Sequence, residues 1–317
     1  MKITQFIVSI LLLSFFSCNE TTNKKDNENS EIIEFQELDK LEYDTLGISL
    51  NTLEDLHTKR NVNSYDRTLI EYINSKPNRP DSIRKTIYLL PFGNIKPNIQ
   101  KIIENETQYL EVFFQLEVKI LPSISFEEIK KNGKIKTRLV SNNDFGYYSK
   151  MKGGAENLRE QIEATSFINS YMTDSLPEDA IAVLGVTEHD IYNPKYNYLF
   201  GTSLASKKVG LVSTFRLVDY GDYTKFNVRK VISKQIVNLF SIRNVKDYEC
   251  LVNFHNNKEE LENGEFKLSP KVLEKLKYSI GFKYEKRFEE LLAFWTKEDN
   301  QKMITYYTEC LKKVKNR

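Results

Sequence analysis

The pattern of apolar and polar positions predicts strands separated by helices. Residues 86–92, TIYLLPF, form an apolar run short enough for a buried strand, and the following Gly93-Asn94-Ile95-Lys96-Pro97 reads as a turn into a helix. Residues 98–111 carry Ile99, Ile102, Ile103, Tyr109 and Leu110 at helical spacing. A second strand is predicted over 112–121 and a helix over 152–172. Residues 180–186, AIAVLGV, make another buried strand, with 198–201 and 209–217 read as a hairpin beside it. Helical spacing returns over 223–240, where Val228, Ile232, Ile236 and Leu239 share a face. It is strong from 270 to 300 and resumes over 301–314. Strands alternating with helices place the chain in the α/β (α+β) class.

The N-terminus changes the picture. Residues 1–18, MKITQFIVSILLLSFFSC, have one cation at Lys2, an apolar run over 6–16 and a terminal Ser17-Cys18. That run suits a signal-peptide core and is too short to span a bilayer. A small residue before cysteine suits lipoprotein processing, in which Cys18 is acylated and becomes the mature N-terminus; Phe15 and Phe16 depart from the usual residues before it. Residues 19–31 are polar and charged, as expected of a tether. Residues 32–82 form an N-terminal extension ending in the turn-rich Lys76-Pro77-Asn78-Arg79-Pro80-Asp81. The main domain is then expected over 83–280, with a helical extension over 281–317. The expected location is the bacterial cell envelope, lipid-anchored and either periplasmic or surface-facing, with the lipid membrane a partner through Cys18.

Composition adds limits. With 317 residues and 40% hydrophobic, the chain can bury a sizeable core. Its 46 basic and 44 acidic residues nearly balance, so nucleic acid is not an expected partner. Cys18, Cys250 and Cys310 are too few for a disulfide framework, and a Cys250–Cys310 bridge is left open. His57, His189 and His255 include no pair four residues apart, so none has metal-ligand spacing.

Five segments occur in an order that resembles the archaemetzincin family of metzincin-like zinc peptidases. They are IYLLPFG at 87–93; Arg159-Glu-Gln161 with Ala164-Thr165; Leu184-Gly-Val-Thr-Glu-His-Asp-Ile-Tyr192; Phe200-Gly201; and Val212-Ser213 with Arg216-Leu217. The resemblance covers about residues 85–277. It implies a zincin-like domain with a mixed β-sheet, an active-site-equivalent helix and extra C-terminal helices. It also implies a helix motif H-E-x-x-H-x-x-G-x-x-H, in which two histidines one turn apart and a third past a glycine turn hold zinc. The glutamate takes a proton from zinc-bound water, and four cysteines hold a second zinc.

Here the frame is kept and the contents differ. The three histidine positions fall on Lys234, Asn238 and Asn244, the glutamate on Gln235 and the turn glycine on Ser241. The second-zinc positions fall on Val245, Cys250, Ser269 and Val272. A lysine cation repels zinc, amides are poor ligands, and glutamine is no base. The reading is therefore a degenerate member with no cofactor expected, zinc being that of the family. It is a membrane-anchored pseudopeptidase that binds a peptide or protein through the old cleft, with Lys234, Asn238 and Asn244 as candidate cleft residues. Alternatives are an active hydrolase with a non-standard site and a structural envelope lipoprotein. Ser213 and Ser241 lack evident His–carboxylate partners. Asp190, Arg159 and Arg216 are read as a buried polar set that joins elements, and residues 288–295 as a helix packed on the domain.

Overall fold

The computed structural model describes residues 52–60, 66–131, 135–141, 158–173, 176–218, 223–243 and 245–316. The signal segment with Cys18, the tether and the candidate cleft residue Asn244 lie outside the described residues.

The apolar run at 86–92 becomes strand β1 (Thr86–Phe92), buried along its whole length. With β2 (Val118–Ile120), β5 (Ala180–Thr187), β8 (Gly201–Leu204) and β9 (Val209–Ser213) it forms a sheet of order β2-β1-β5-β9-β8. All pairings are parallel except that of β8 with β9, and β8 is the terminal strand. A second sheet has the order β3-β4-β6-β7, from β3 (Thr137–Ser141), β4 (Leu158–Glu163), β6 (Asp190–Asn193) and β7 (Tyr196–Leu199). The fold is thus mixed α/β, as expected. The predicted hairpin is present as β8–β9, but Tyr198 and Leu199 belong to β7 in the other sheet.

Two predicted elements are corrected. Helix α1 (Leu69–Asn74) precedes β1; helix α2 (Pro97–Phe114) follows it and absorbs the first residues of the strand expected over 112–121. Ile99, Ile103, Glu106, Tyr109, Leu110, Phe113 and Phe114 are all buried at intervals of one, three and four, so the apolar stripe continues past 111. Gln115, at φ 55°, ends the helix, and its amide donates to Val112 O at 2.9 Å. Of the helix expected over 152–172, residues 152–157 lie outside the described residues; the rest is the strand β4, followed by a short helical segment from Ala164 to Met172. Arg159-Glu-Gln are helix formers by propensity; the period-two alternation that sends Arg159 and Gln161 to the same side, towards Asp190, overrides it.

Helix α3 (Phe126–Lys131) and α4 (Ala164–Phe167) contribute to a core shared by the two sheets, where Phe92 of β1 and Phe167 stack at 4.4 Å. Helix α5 (Tyr223–Leu239) packs on β5, β8 and β9. After α6 (Lys258–Asn263), the helical tract from 270 is two helices, α7 (Pro270–Ile280) and α8 (Tyr284–Lys297), broken where Gly281 adopts φ 81°. Residues 288–295 pack on their own domain: Phe288, Leu291 and Trp295 are fully buried. Helix α9 (Gln301–Lys315) closes the chain against α8. No helix of the described residues is long and apolar enough to cross a membrane. The described part of the N-terminal extension adds no strand to either sheet; it contributes α1 and an isolated bridge from Lys59 to Tyr248.

Candidate functional site

Helix α5 sets the site. Val228, Ile232, Ile236 and Leu239 are buried on its core side, and Arg229 is locked to the fully buried Glu106 of α2 at 2.8 Å. These contacts fix the rotation of the helix and bring Lys234, Gln235 and Asn238 under the edge strand. Lys234 and Asn238 lie four residues apart, hence one turn apart on one face. The helix ends at Leu239, and Ser241 takes the left-handed φ of 64°. That is the backbone a glycine usually supplies, and Ser241 stands at the position matched to the family's turn glycine.

Lys234 and Gln235 line a cleft of about 240 Å³ with Tyr196, Tyr198, Gly201 and Phe254. Gln235 is buried and lies against the edge strand: a Cβ on Gly201 would sit 3.0 Å from Gln235 Cγ. Lys234 Nζ donates to Asn253 O at 2.5 Å and lies 5.7 Å from the Phe254 ring centroid. Burial pushes its ammonium down to about 8. His255, also on the cleft, is pushed down to about 4, first by burial and then by the Lys234 charge, so its imidazole is neutral at neutral pH. Asn238 approaches Gln235 Oε1 with its Nδ2 at 3.5 Å, and its Oδ1 is buried with no hydrogen-bond partner among the described residues. Asn238 opens onto a neighbouring cleft and does not line the one holding Lys234 and Gln235.

The loop after α5 is organised by a residue the sequence reading missed. Asn253 is buried; its amide donates to Val245 O at 2.8 Å and Tyr248 O at 2.9 Å, and its Oδ1 accepts from Cys250 N at 2.7 Å. A signal existed in the preference of asparagine for turning back on nearby backbone. The second-zinc positions Val245, Cys250, Ser269 and Val272 are all buried, and burial pushes the Cys250 thiol up to about 11. Cys250 and Cys310 are free thiols, so the bridge left open is not formed.

The other residues singled out from sequence fall into place as follows. Asp190, 1% exposed, accepts from Arg159 Nε at 3.1 Å, from Gln161 Nε2 at 2.7 Å, and from Arg216 through Nε at 2.9 Å and Nη2 at 2.8 Å. This joins β4 and β6 to the segment after β9, the structural role expected. His189 lies between Phe126 and Phe92, with ring centroids 4.4 and 5.8 Å away. Ser213 Oγ donates to His189 O at 2.6 Å, a backbone contact, and forms no Ser-His-carboxylate arrangement.

No family profile matches the chain. Curated relatives do. Archaemetzincin-2 of Mus musculus is 24% identical over 236 residues, 64% of this chain and 60% of that protein. Archaemetzincin of Pyrococcus furiosus is 21% identical over 209 residues, 64% of this chain and 97% of that protein. The chain therefore spans about 60% of the mouse relative's length. Among solved structures, archaemetzincin from Methanopyrus kandleri matches with 20% identity and a TM-score of 0.47 over 63% of this chain and 97% of the other. A zinc-dependent peptidase from Methanocorpusculum labreanum matches with 16% identity and a TM-score of 0.40 over 60% and 99%.

The curated archaemetzincin relatives correct the expectation of no cofactor, because zinc is what a likeness to that family implies. The side chains at the matched positions do not fit it in the family's manner. Lys234 offers a hydrogen-bonded ammonium, Asn238 an amide, and among the described residues no three His, Cys, Asp or Glu side chains gather as a metal site requires. Both the ordered sequence segments and the curated relatives converge on one relationship: the chain is archaemetzincin-like.

Proposed function

We propose that this chain binds an extended peptide along β8 without hydrolysing it, and that a lipid on Cys18 holds it at the cell envelope. The carrying observation is Gln235 beneath Gly201 of the terminal strand. Strand β8 is paired only on its β9 side among the described residues. An unpaired edge is a template for an added strand, with main-chain hydrogen bonds supplying affinity and flanking pockets selecting side chains. Tyr196, Tyr198 and Phe254 wall such a pocket here. The Gln235 amide can donate to and accept from a peptide group but cannot take a proton from water at any useful pH. Lys234, whose ammonium is hydrogen-bonded, adds positive charge where the family places a metal ligand.

The test uses the full chain and a panel of fluorescent ten-residue peptides, read by anisotropy, with mass spectrometry of the same mixtures after incubation. Saturable binding with the peptides intact is expected. Cleavage that disappears in Lys234→Ala or Gln235→Ala would overturn the non-hydrolysing reading, and absence of binding across the panel would overturn the peptide reading. Incorporation of labelled fatty acid that is lost in Cys18→Ser checks the anchor.

A further inference from the structure

A second and larger cleft, about 760 Å³, opens beyond the other end of β8. Ser203 and Leu204 of that strand line it, whereas Gly201 lines the first cleft, so the two clefts are strung along one edge. Its charge is one-sided. Arg67, Lys76, Arg79, Arg84, Lys208 and Arg243 all line it, and among the described residues no aspartate or glutamate does. In a chain of net charge +2, such a surplus is local.

These cations are largely uncommitted to carboxylates. Arg84 pairs with Asp81 at 2.5 Å, and among the described residues it is the one member of the set with an ion pair. Arg67 donates to Ser75 Oγ at 2.9 Å and to Ser241 O, and so caps the carbonyl end of α5. That bland role explains Arg67 alone. Arg79 stacks on Tyr278 at 4.1 Å, while Lys76, Arg79 and Arg243 stay exposed. The cations also oppose one another: after burial, Arg243 is the next influence lowering the Arg67 guanidinium, and Arg84 the next lowering the Lys208 ammonium. Like charges held together in a concavity are an electrostatic cost that an anion relieves.

Four of the six belong to residues 67–84, outside the region that resembles the archaemetzincins. This segment is anchored across the core by Asn78, whose amide donates to Ile181 O at 2.8 Å and Leu239 O at 3.3 Å. The N-terminal extension therefore wraps the end of α5 and adds a basic wall to the edge strand.

We propose that this basic cleft receives an acidic stretch of the peptide laid along β8, making the extension a selector for ligands with clustered Asp or Glu. The inference rests on the peptide-binding reading above. At about 3.3 Å per residue, the acidic stretch begins about three residues from the peptide position above Gln235.

The experiment measures binding of the full chain to a neutral ten-residue peptide and to versions with three glutamates at either end. It repeats this with Arg79→Glu, Lys208→Glu and Arg243→Glu combined, and adds inorganic pyrophosphate as a competitor. One acidic version is expected to bind about tenfold tighter than the neutral peptide at low salt. The gain should vanish in the triple variant and shrink with added salt, while neutral-peptide affinity is kept. Neutral binding with no acidic gain in either version overturns the inference and leaves the peptide reading standing. An acidic gain that survives the triple variant also overturns it, by placing the contact elsewhere. Pyrophosphate binding that requires these cations, with no peptide binding, overturns both in favour of a small-anion site. Unchanged circular dichroism and neutral-peptide affinity show that the variant is folded.

Discussion

Gln235 and Gly201 are packed so closely that a side chain at 201 would force its neighbours to shift. A Cβ there would meet Gln235 Cγ at 3.0 Å and the Leu211 carbonyl oxygen at 3.0 Å. Gly201→Ala is therefore expected to destabilise the fold by about 1–3 kcal/mol, the usual cost of overpacking. Gln235→Ala in the same chain should recover part of that loss, because it removes the contacts to Gln235 Cγ and Nε2 and leaves the carbonyl. Urea denaturation of the four chains of the cycle measures it; a coupling below about 0.5 kcal/mol would mean that the side chain of Gln235 lies elsewhere.

Asp190 is a second point of failure. Its carboxylate is the shared acceptor for Arg159, Gln161 and Arg216, with Arg216 fully inside. Asp190→Ala leaves cations buried without their counter-charge and is expected to cost about 3–5 kcal/mol. Because the carboxylate ties the second sheet to the segment after β9, the loss should appear in the unfolding midpoint of the whole domain. An Asp190→Ala chain within about 1 kcal/mol of the parent would show the cluster to be dispensable.

Much of this was legible in the residues, for identifiable reasons. Strands β1 and β5 are buried on both faces and read as unbroken apolar runs, and α5 carries Val228, Ile232 and Ile236 at helical spacing. The Asp190 set was foreseeable because charged residues inside a domain need partners. What was missed depends on partners distant in sequence. The 158–163 segment is a strand because β3 and β6 take its hydrogen bonds and Asp190 takes its polar side chains, none of which local propensity encodes. The basic cleft gathers residues from 67 to 243, and none of the segments that contribute to it is conspicuously basic by itself. The close approach at Gly201 is likewise a tertiary fact.

Ser241 allows the turn after α5 to be tested directly. It is one of few non-glycine residues with positive φ, at 64°, and sits where a glycine would relieve the strain. Ser241→Gly is expected to stabilise the chain by about 0.5–1 kcal/mol, since the left-handed conformation penalises an L side chain and not glycine. Among the described residues the hydroxyl's one hydrogen bond to set against this is a 3.4 Å bond from Asn78 N. Ser241→Val should do the reverse, by more than 1 kcal/mol, because a β-branched residue tolerates positive φ poorly. Equal stability of the glycine and valine forms would refute this turn geometry.

Burial also gives the chain an unusual dependence on alkali. Lys230, Lys234 and Lys275 are each pushed down to about 8 by burial. Their ammoniums are held by carbonyl oxygens: those of Leu261 and Glu262 for Lys230, Asn253 for Lys234 and Arg67 for Lys275. In the unfolded chain each lysine keeps its proton to about 10.4. Between these limits the unfolded state binds more protons than the folded one, so stability rises with pH. The expected gain between pH 8 and 9 is about 1 kcal/mol per lysine. Above about pH 10 the sign turns: the unfolded lysines then release their own protons, while Cys250 and Cys310, pushed up to about 11 and about 12, keep protons in the fold that the unfolded thiols have lost. Urea midpoints should therefore climb from pH 7.5 to about 9.5 and fall above about pH 10, and Lys230→Met should remove at least a third of the climb. A steady decline across pH 7.5–9 would show that these ammoniums are not desolvated. The same titration of Lys234 removes a positive charge near pH 8 from the cleft it shares with Gln235, over the interval in which the fold itself grows more stable.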